Sequence, residues 1–142
     1  MIALASDHGG YALKNKIREH LESKGYLCRD FGCYGKGSCD YPDFGRAAAE
    51  AVASGDCEKG IVVCTTGIGI SIAANKVRGV RCACCTNAFL ARMTRSHNDA
   101  NMLALGQSVV GDLLAFDIVD TFLETPFSND EKHIRRVGKI EP

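Results

Sequence analysis

The segment that most restricts the fold covers residues 60–76 and reads GIVVCTTGIGISIAANK. Its apolar start predicts a short buried strand over residues 61–63, followed by a glycine-rich turn and a helix that begins near Ile68. In open α/β sheets, ligands bind at such strand ends, because free backbone N–H groups and the helix dipole attract anions. Cys64 lies at this break, so the segment indicates a possible nucleophile or base beside an anion-binding turn.

The rest of the chain repeats the alternation of strand and helix. The predicted strands cover residues 1–5, 26–31, 61–63, 80–84 and 101–105, and the predicted helices cover 11–24, 47–52, 68–76, 87–96 and 112–123. Residues 32–43 are expected to form a loop, and residues 132–136 a basic tail. This pattern is typical of parallel strands joined by right-handed crossovers. We therefore expect one α/β domain over residues 1–142, a three-layer α/β/α sandwich with a Rossmann-like, five-stranded parallel sheet.

The charge balance gives no support to a nucleic-acid or membrane partner. Seventeen basic and seventeen acidic residues give a formal net charge of zero, and no basic stripe with interleaved aromatic residues is present. No apolar run approaches transmembrane length, and the N-terminus leads into a strand rather than a signal peptide. We expect a soluble cytoplasmic protein.

The sequence also argues against metals and common cofactors. Eight cysteines could form a disulfide scaffold, but several fall inside predicted strands, where cysteine is a small apolar residue. Cys82 and Cys85 have the spacing of half a zinc site, yet no second pair accompanies them, and alternation directs them to opposite faces of a strand. The first turn lacks the G-x-G-x-x-G fingerprint and no Walker pattern occurs, so NAD and ATP are not expected.

Polar and glycine residues follow the predicted strands, and a parallel sheet would gather them at one edge. They are Asp7, His8, residues 64–69, residues 86–87 and Gly106. A small polar substrate would meet these groups.

Each candidate has a structural interpretation beside the chemical one. Cys64 is either a packed strand end or a reactive thiol at a helix N-terminus. Thr65 and Thr66 are hydroxyl ligands or ordinary caps, and His97 is a functional group or a surface residue. The cluster at 132–136 suits a phosphate, although a polar C-terminal tail is the more usual interpretation.

Taken together, five motifs resemble one family over essentially the whole chain. They are SDHGG at 6–10, DYPDF at 40–44, CTTGIGISIAANK at 64–76, HNDAN at 97–101 and KHIRR at 132–136. The set resembles the type B ribose-5-phosphate isomerases, a family that also includes galactose-6-phosphate and allose-6-phosphate isomerases.

This resemblance implies an aldose–ketose isomerase that moves a proton between C1 and C2 through an enediolate, without a metal or an organic cofactor. Cys64 matches the base, His97 the proton donor that opens the sugar ring, and Thr66 a hydroxyl that assists the ring opening. The turn that would donate backbone N–H groups to the substrate and the enediolate consists of Thr65, Thr66, Gly67, Ile68, Gly69 and Ile70.

The resemblance also implies the phosphorylated sugar's other contacts and a partner. Asp7 and His8 match substrate-binding positions, with His8 near the phosphate. Asn98 matches a polar contact to the sugar, and Lys132 and Arg136 match a phosphate clamp. Each site of the family takes residues from two subunits, so the resemblance implies a homodimer or a tetramer built from two such dimers.

Three positions depart from the family pattern and leave the identity of the sugar substrate undecided. Thr65 stands where the family usually has glycine, and Ser108 stands where it usually has arginine. Lys132 replaces an arginine of the phosphate clamp, so a single charged ammonium group stands in place of a guanidinium that can donate two hydrogen bonds at once. Ile70 occupies the position of the glutamate base used by one subfamily. The alternatives are an allose- or galactose-6-phosphate isomerase and a non-catalytic sugar-phosphate binding protein.

Overall fold

The computed structural model describes residues 1–141, and its five strands form one parallel sheet. The strands are β1 (Ile2–Ser6), β2 (Cys28–Asp30), β3 (Lys59–Cys64), β4 (Cys82–Cys84) and β5 (Met102–Gly106). Their order across the sheet is β2-β1-β3-β5-β4, with every pair parallel. The carboxyl ends of all five strands therefore share one edge of the sheet, called the C-terminal edge below.

Helices cover both faces of this sheet. They are α1 (Tyr11–Ser23), α2 (Tyr41–Ala53), α3 (Ile68–Asn75), α4 (Ala88–Asn98), α5 (Asp112–Glu124) and α6 (Glu131–Ile140). One apolar cluster joins the sheet to α1, α4 and α5, and a second joins the opposite face to α2 and α3. These layers confirm the predicted three-layer, Rossmann-like α/β fold. Among residues 1–141, no helix has the length and apolar character needed to cross a bilayer.

The central strand β3 explains why the chain is organised around residues 60–76. Ile61 and Val63 belong to the cluster on one face, while Val62 and Cys64 belong to the cluster on the other. Each of these aliphatic side chains, once buried, stabilises the fold by about 1.5–3 kcal/mol. Burial on both faces holds β3 in a single register, so its last residue is fixed at the middle of the C-terminal edge.

Helix α2 was predicted to begin too late, and helix α6 was not predicted. Helix α2 begins at Tyr41, inside the segment predicted as a loop, and Pro42 occupies its first turn. Proline is compatible with that position, because the first-turn N–H groups have no intrahelical partner. Residues 132–136 belong to helix α6 rather than to a tail. Its apolar residues are sparse, so the sequence pattern there is dominated by charge.

The edge strands are shorter than predicted, since β2 starts at Cys28 and β4 at Cys82. Each pairs with a single neighbour, so fewer backbone hydrogen bonds extend it. Cys82 and Cys85 do lie on opposite sides of the sheet, as alternation predicted.

Candidate functional site

The thiol of Cys64 lies beside a backbone N–H donor at the C-terminal edge. Cys64 is only 5% exposed, and its Sγ accepts a hydrogen bond from the N–H of Gly67 at 3.1 Å. The helix that follows this turn points its N-terminus at the same place. A negative charge on sulfur would be stabilised by both the donor and the helix dipole, so this geometry suits a thiolate.

Gly67 is required by the shape of the turn. Its φ of 81° lies in the left-handed region, and a Cβ there would come within 2.8 Å of the Leu105 carbonyl carbon. The Sγ of Cys84 would lie 3.0 Å from the same position. The turn can therefore approach β5 this closely only with glycine at residue 67.

The start of α3 leaves backbone donors for a ligand. The Ile68 N–H donates to Thr66 Oγ1 at 3.2 Å, so Thr66 caps the turn as well as facing solvent. The intrahelical ladder begins where the Ser71 N–H donates to the Gly67 carbonyl. The N–H groups of Gly69 and Ile70 precede that bond, as first-turn groups of a helix do, and can bind an anion.

Thr65 fits the turn because a glycine faces it. Its side chain is exposed, and its Oγ1 occupies the space where a Cβ of Gly9 would lie. The Thr65 carbonyl accepts a hydrogen bond from the Ser108 N–H at 3.0 Å. Two of the three departures from the family pattern are thus neighbours, on the turns after β3 and β5.

Asp7 and His8 lie at the same edge, on the turn after β1. Asp7 is buried, and its Oδ1 accepts from the Gly10 N–H at 3.2 Å. His8 is exposed, and its Nδ1 accepts from the Cys39 N–H at 3.2 Å. A neutral His8 ring therefore carries its proton on Nε2 and can donate it to an oxygen of a bound ligand.

Sequence analysis missed one member of this group, Tyr41. Its ring packs directly over Gly69, where an added Cβ would come within 2.8 Å of the ring. The signal was present in the DYPDF motif at 40–44, which carried the resemblance but received no role of its own.

The remaining predicted residues lie at the other end of the sheet. Asn98 ends α4, and its carbonyl accepts from Nε of Arg81, the residue before β4, at 3.0 Å. His97 belongs to the last turn of α4 rather than to the segment after it, and its ring contacts His133 of α6 at a centroid distance of 4.4 Å.

Lys132 and Arg136 are exposed and, four residues apart, share one face of α6. Helix α6 packs on α4, so both cations belong with His97. We call His97, Asn98, Lys132 and Arg136 the α4–α6 group.

One protomer does not bring Cys64 and the α4–α6 group together. The Asn101 N–H donates to the Arg81 carbonyl at the start of β5, whereas Cys64 pairs with Gly106 at its end. Five residues of strand separate these levels, which corresponds to about 16 Å. A site that uses both groups has to combine opposite edges of two protomers.

The thiols of Cys82 and Cys85 have raised pKa values. Burial raises the pKa of Cys82, and the neighbouring thiols of Cys84 and Cys85 add to the shift. Burial also raises the pKa of Cys85 to about 11. Within residues 1–141 no group of three His, Cys, Asp or Glu side chains is arranged to hold a metal ion.

Comparison with known proteins agrees with the motifs. A family model described as ribose/galactose isomerase matches residues 2–140. The solved ribose-5-phosphate isomerase B of Clostridium thermocellum is 59% identical, with a TM-score of 0.97 over 99% of this chain and 94% of that one.

Two curated relatives differ in their named substrates. Ribose-5-phosphate isomerase B of Escherichia coli is 42% identical over 98% of this chain and 93% of its own length. Galactose-6-phosphate isomerase subunit LacB of Clostridium acetobutylicum is 42% identical over 99% of this chain and 82% of its own length. The resemblance predicted from the motifs is confirmed: the chain belongs to the ribose/galactose isomerase family, a family of isomerases.

Proposed function

We propose that the chain interconverts D-ribose 5-phosphate and D-ribulose 5-phosphate, with Cys64 as the base. The observation that carries this proposal is the hydrogen bond from the Gly67 N–H to Cys64 Sγ, 3.1 Å long, at the N-terminus of α3. Cysteine acts as a base in its thiolate form, and this arrangement supplies a hydrogen-bond donor and a helix dipole for that negative charge. The ribose-5-phosphate isomerase B relatives support the choice of sugar.

In the proposed reaction, Cys64 removes the proton on C2 of the open-chain aldose. The electrons of that C–H bond form the C1–C2 double bond of an enediolate, and the negative charge moves to the oxygen on C1. The first-turn N–H groups of Gly69 and Ile70 are placed to stabilise that oxygen. Cys64 then returns the proton to C1, while the proton of the C2 hydroxyl moves to the oxygen on C1. These transfers give the ketose, so atoms and charge balance without a cofactor.

The site is proposed to be shared by two protomers of a homodimer, which could pair further into a tetramer. One protomer supplies Cys64, Thr66, Asp7 and His8 at its C-terminal edge. The partner supplies its α4–α6 group, which within one chain lies at the opposite end of the sheet from Cys64, about 16 Å away along the strand direction. In this arrangement His97 of the partner subunit opens the sugar ring, and the partner's two clamp cations bind the phosphate with His8.

A six-carbon 6-phosphate is the second candidate substrate. The relative named galactose-6-phosphate isomerase subunit LacB, at 42% identity, favours it. Ser108 and Lys132 stand in place of two arginines of the family pattern, so the residues that would bind the phosphate do not select between a five-carbon and a six-carbon sugar. We further propose that the enzyme acts in the cytoplasm as a single domain over residues 1–142, within sugar-phosphate metabolism such as the pentose phosphate pathway.

Solvent-exchange NMR on ribose, allose and galactose phosphates tests this function. In deuterated water we expect the proton at the reacting carbon of ribose 5-phosphate to be replaced as ketose forms. Cys64→Ala should slow the reaction by about 10²–10⁴-fold, the usual contribution of a general base.

Cys57→Ala is the matched control, because Cys57 is also buried in the cluster on the α2–α3 face but lies before β3, away from the turn. Normal exchange with Cys64→Ala would reject Cys64 as the base. Binding of all three sugars, seen as thermal stabilisation without turnover, would indicate a non-catalytic binding protein instead.

A further inference from the structure

His133 is the one buried residue of helix α6, and its surroundings differ from those of its cationic neighbours. It is 7% exposed, whereas Lys132 and Arg136 are exposed to solvent. The basic motif at 132–136 is therefore divided. Its three cations, Lys132, Arg135 and Arg136, are exposed, where an anion can reach them, while its imidazole faces α4.

A hydrogen bond between Ser128 and Nδ1 fixes the orientation of the His133 ring. Ser128 Oγ lies 2.6 Å from His133 Nδ1, and the same oxygen accepts from the Asp130 N–H at 3.1 Å. Since the hydroxyl oxygen accepts from that N–H, its own proton is free to be donated to Nδ1. The Ser128 N–H in turn donates to the Ser96 carbonyl at 3.1 Å, which ties this anchor to the last turn of α4.

The anchored ring packs against His97. The two ring centroids are 4.4 Å apart and the ring planes differ by 33°. His97 itself is exposed at the end of α4. We propose that His133 is a positioning residue, which orders the His97 imidazole for proton transfer to the ring oxygen of the sugar. This inference rests on the proposed function, in which His97 serves the site of the partner subunit.

The surroundings of His133 lower its pKa and so favour the uncharged imidazole. Its pKa is lowered from the usual value, first by burial and then by the neighbouring charge of His97 and the cations Lys132 and Arg136. Asp130, 3.8 Å away, acts in the opposite direction but does not reverse the shift. Near neutral pH His133 therefore packs on His97 as an uncharged ring.

The chemistry of the two sugars separates ring opening from isomerisation. Ribose 5-phosphate is mainly a closed ring, so the C1–O4 bond must break, O4 must gain a proton and the C1 hydroxyl must lose one. Ribulose 5-phosphate stays open, because its O5 carries the phosphate. Exchange of a C1 proton of ribulose 5-phosphate with deuterated solvent therefore uses Cys64 but needs no ring opening.

The experiment compares turnover of ribose 5-phosphate with C1 exchange of ribulose 5-phosphate in three variants. His133→Asn removes the ring, His133→Phe keeps a flat ring without Nδ1, and Ser128→Ala frees the ring from its anchor. We expect His133→Asn to slow ribose turnover by about tenfold, since small displacements of a reacting group carry penalties of this order or larger. Exchange of ribulose 5-phosphate should stay near the wild-type rate.

His133→Phe should recover part of the lost turnover, and Ser128→Ala should lie between wild type and His133→Asn. Inhibition by inorganic phosphate should be unchanged in all three variants. Equal slowing of both sugar reactions by His133→Asn would indicate a structural role only, and unchanged turnover would remove the role altogether. Tenfold weaker inhibition by phosphate in His133→Asn would make His133 a phosphate ligand. Each of these results overturns the proposal.

NMR of the His97 ring protons gives a readout that does not require activity. If the wild-type chain acts on neither sugar, the proposed function fails by itself. The claim about His133 is then judged by whether the His97 ring resonances shift and broaden in His133→Asn. Sharp, unshifted His97 signals in that variant would show that His133 does not order the ring.

Discussion

Replacing Gly67 by alanine tests how tightly the turn after β3 is defined. The φ of 81° alone should destabilise an alanine by about 1–2 kcal/mol. The new methyl group would also lie 2.8 Å from the Leu105 carbonyl carbon and 3.0 Å from the Gly106 nitrogen. These are backbone atoms of the central sheet, which cannot rotate away, so overpacking should add about 1–3 kcal/mol. Gly67→Ala should therefore lower the free energy of unfolding by about 2–5 kcal/mol.

The matched control is Gly55→Ala. Gly55 has a φ of 87°, and a Cβ there meets nothing within 4 Å. Gly55→Ala therefore shares with Gly67→Ala the backbone strain and the lower entropy of the unfolded chain, but its new methyl group clashes with nothing. Urea unfolding of both variants at one protein concentration gives the difference directly. A Gly67→Ala variant no less stable than Gly55→Ala would refute the argument that the turn is pressed against β5.

Three further outcomes follow from the same geometry. Gly9→Ala should destabilise the wild-type chain, because the new methyl group clashes with the Thr65 hydroxyl, but it should be tolerated in the Thr65→Gly variant. A double-mutant cycle measured by urea unfolding should therefore give an interaction energy of about 0.5–3 kcal/mol between the two positions. An interaction energy near zero would contradict the predicted clash. Because burial lowers the pKa of His133, the unfolded chain binds the extra proton first, so wild-type stability should fall as pH drops below about 6.5. The fall should be smaller in His133→Phe, and equal slopes of stability against pH would contradict this. Iodoacetamide should label Cys85 more slowly than the exposed Cys84, because Cys85 is 3% exposed and burial raises its pKa to about 11. Mass spectrometry of the labelled peptides measures the two rates, and faster labelling of Cys85 would contradict this prediction.

The sequence predicted the sheet and the placement of Asp7, His8 and Cys64 at one edge of it, because both depend on local signals. The apolar run before Cys64 and the glycines after it determine a strand, a turn and a helix within one short segment. Once the strands are parallel, Asp7, His8 and Cys64 must lie at one edge, whatever the strand order. Motif resemblance then supplied the roles that single residues left open.

The placement of the other half, the α4–α6 group, could be seen only in the structure, because it depends on contacts between residues far apart in the sequence. The apolar residues Ile134 and Ile140 of helix α6 are exposed and its single buried residue is a histidine, so its charge-rich sequence resembled a polar tail. The anchor of that histidine, Ser128, lies in the linker before the helix and has no sequence signature. Tyr41 was hidden for a similar reason, since its contact with Gly69 joins two segments that are far apart in the chain.

The central claim is that each site combines Cys64 of one protomer with His97 of the partner subunit. Co-expression of Cys64→Ala with His97→Ala tests this directly, since each variant alone should be nearly inactive. Half of the dimers formed should be mixed, and each mixed dimer should contain one intact site. We therefore predict recovery of about a quarter of the wild-type turnover of ribose 5-phosphate. Pairing Cys64→Ala with the double variant that carries both substitutions should recover none, and a first mixture no more active than this control would contradict the account.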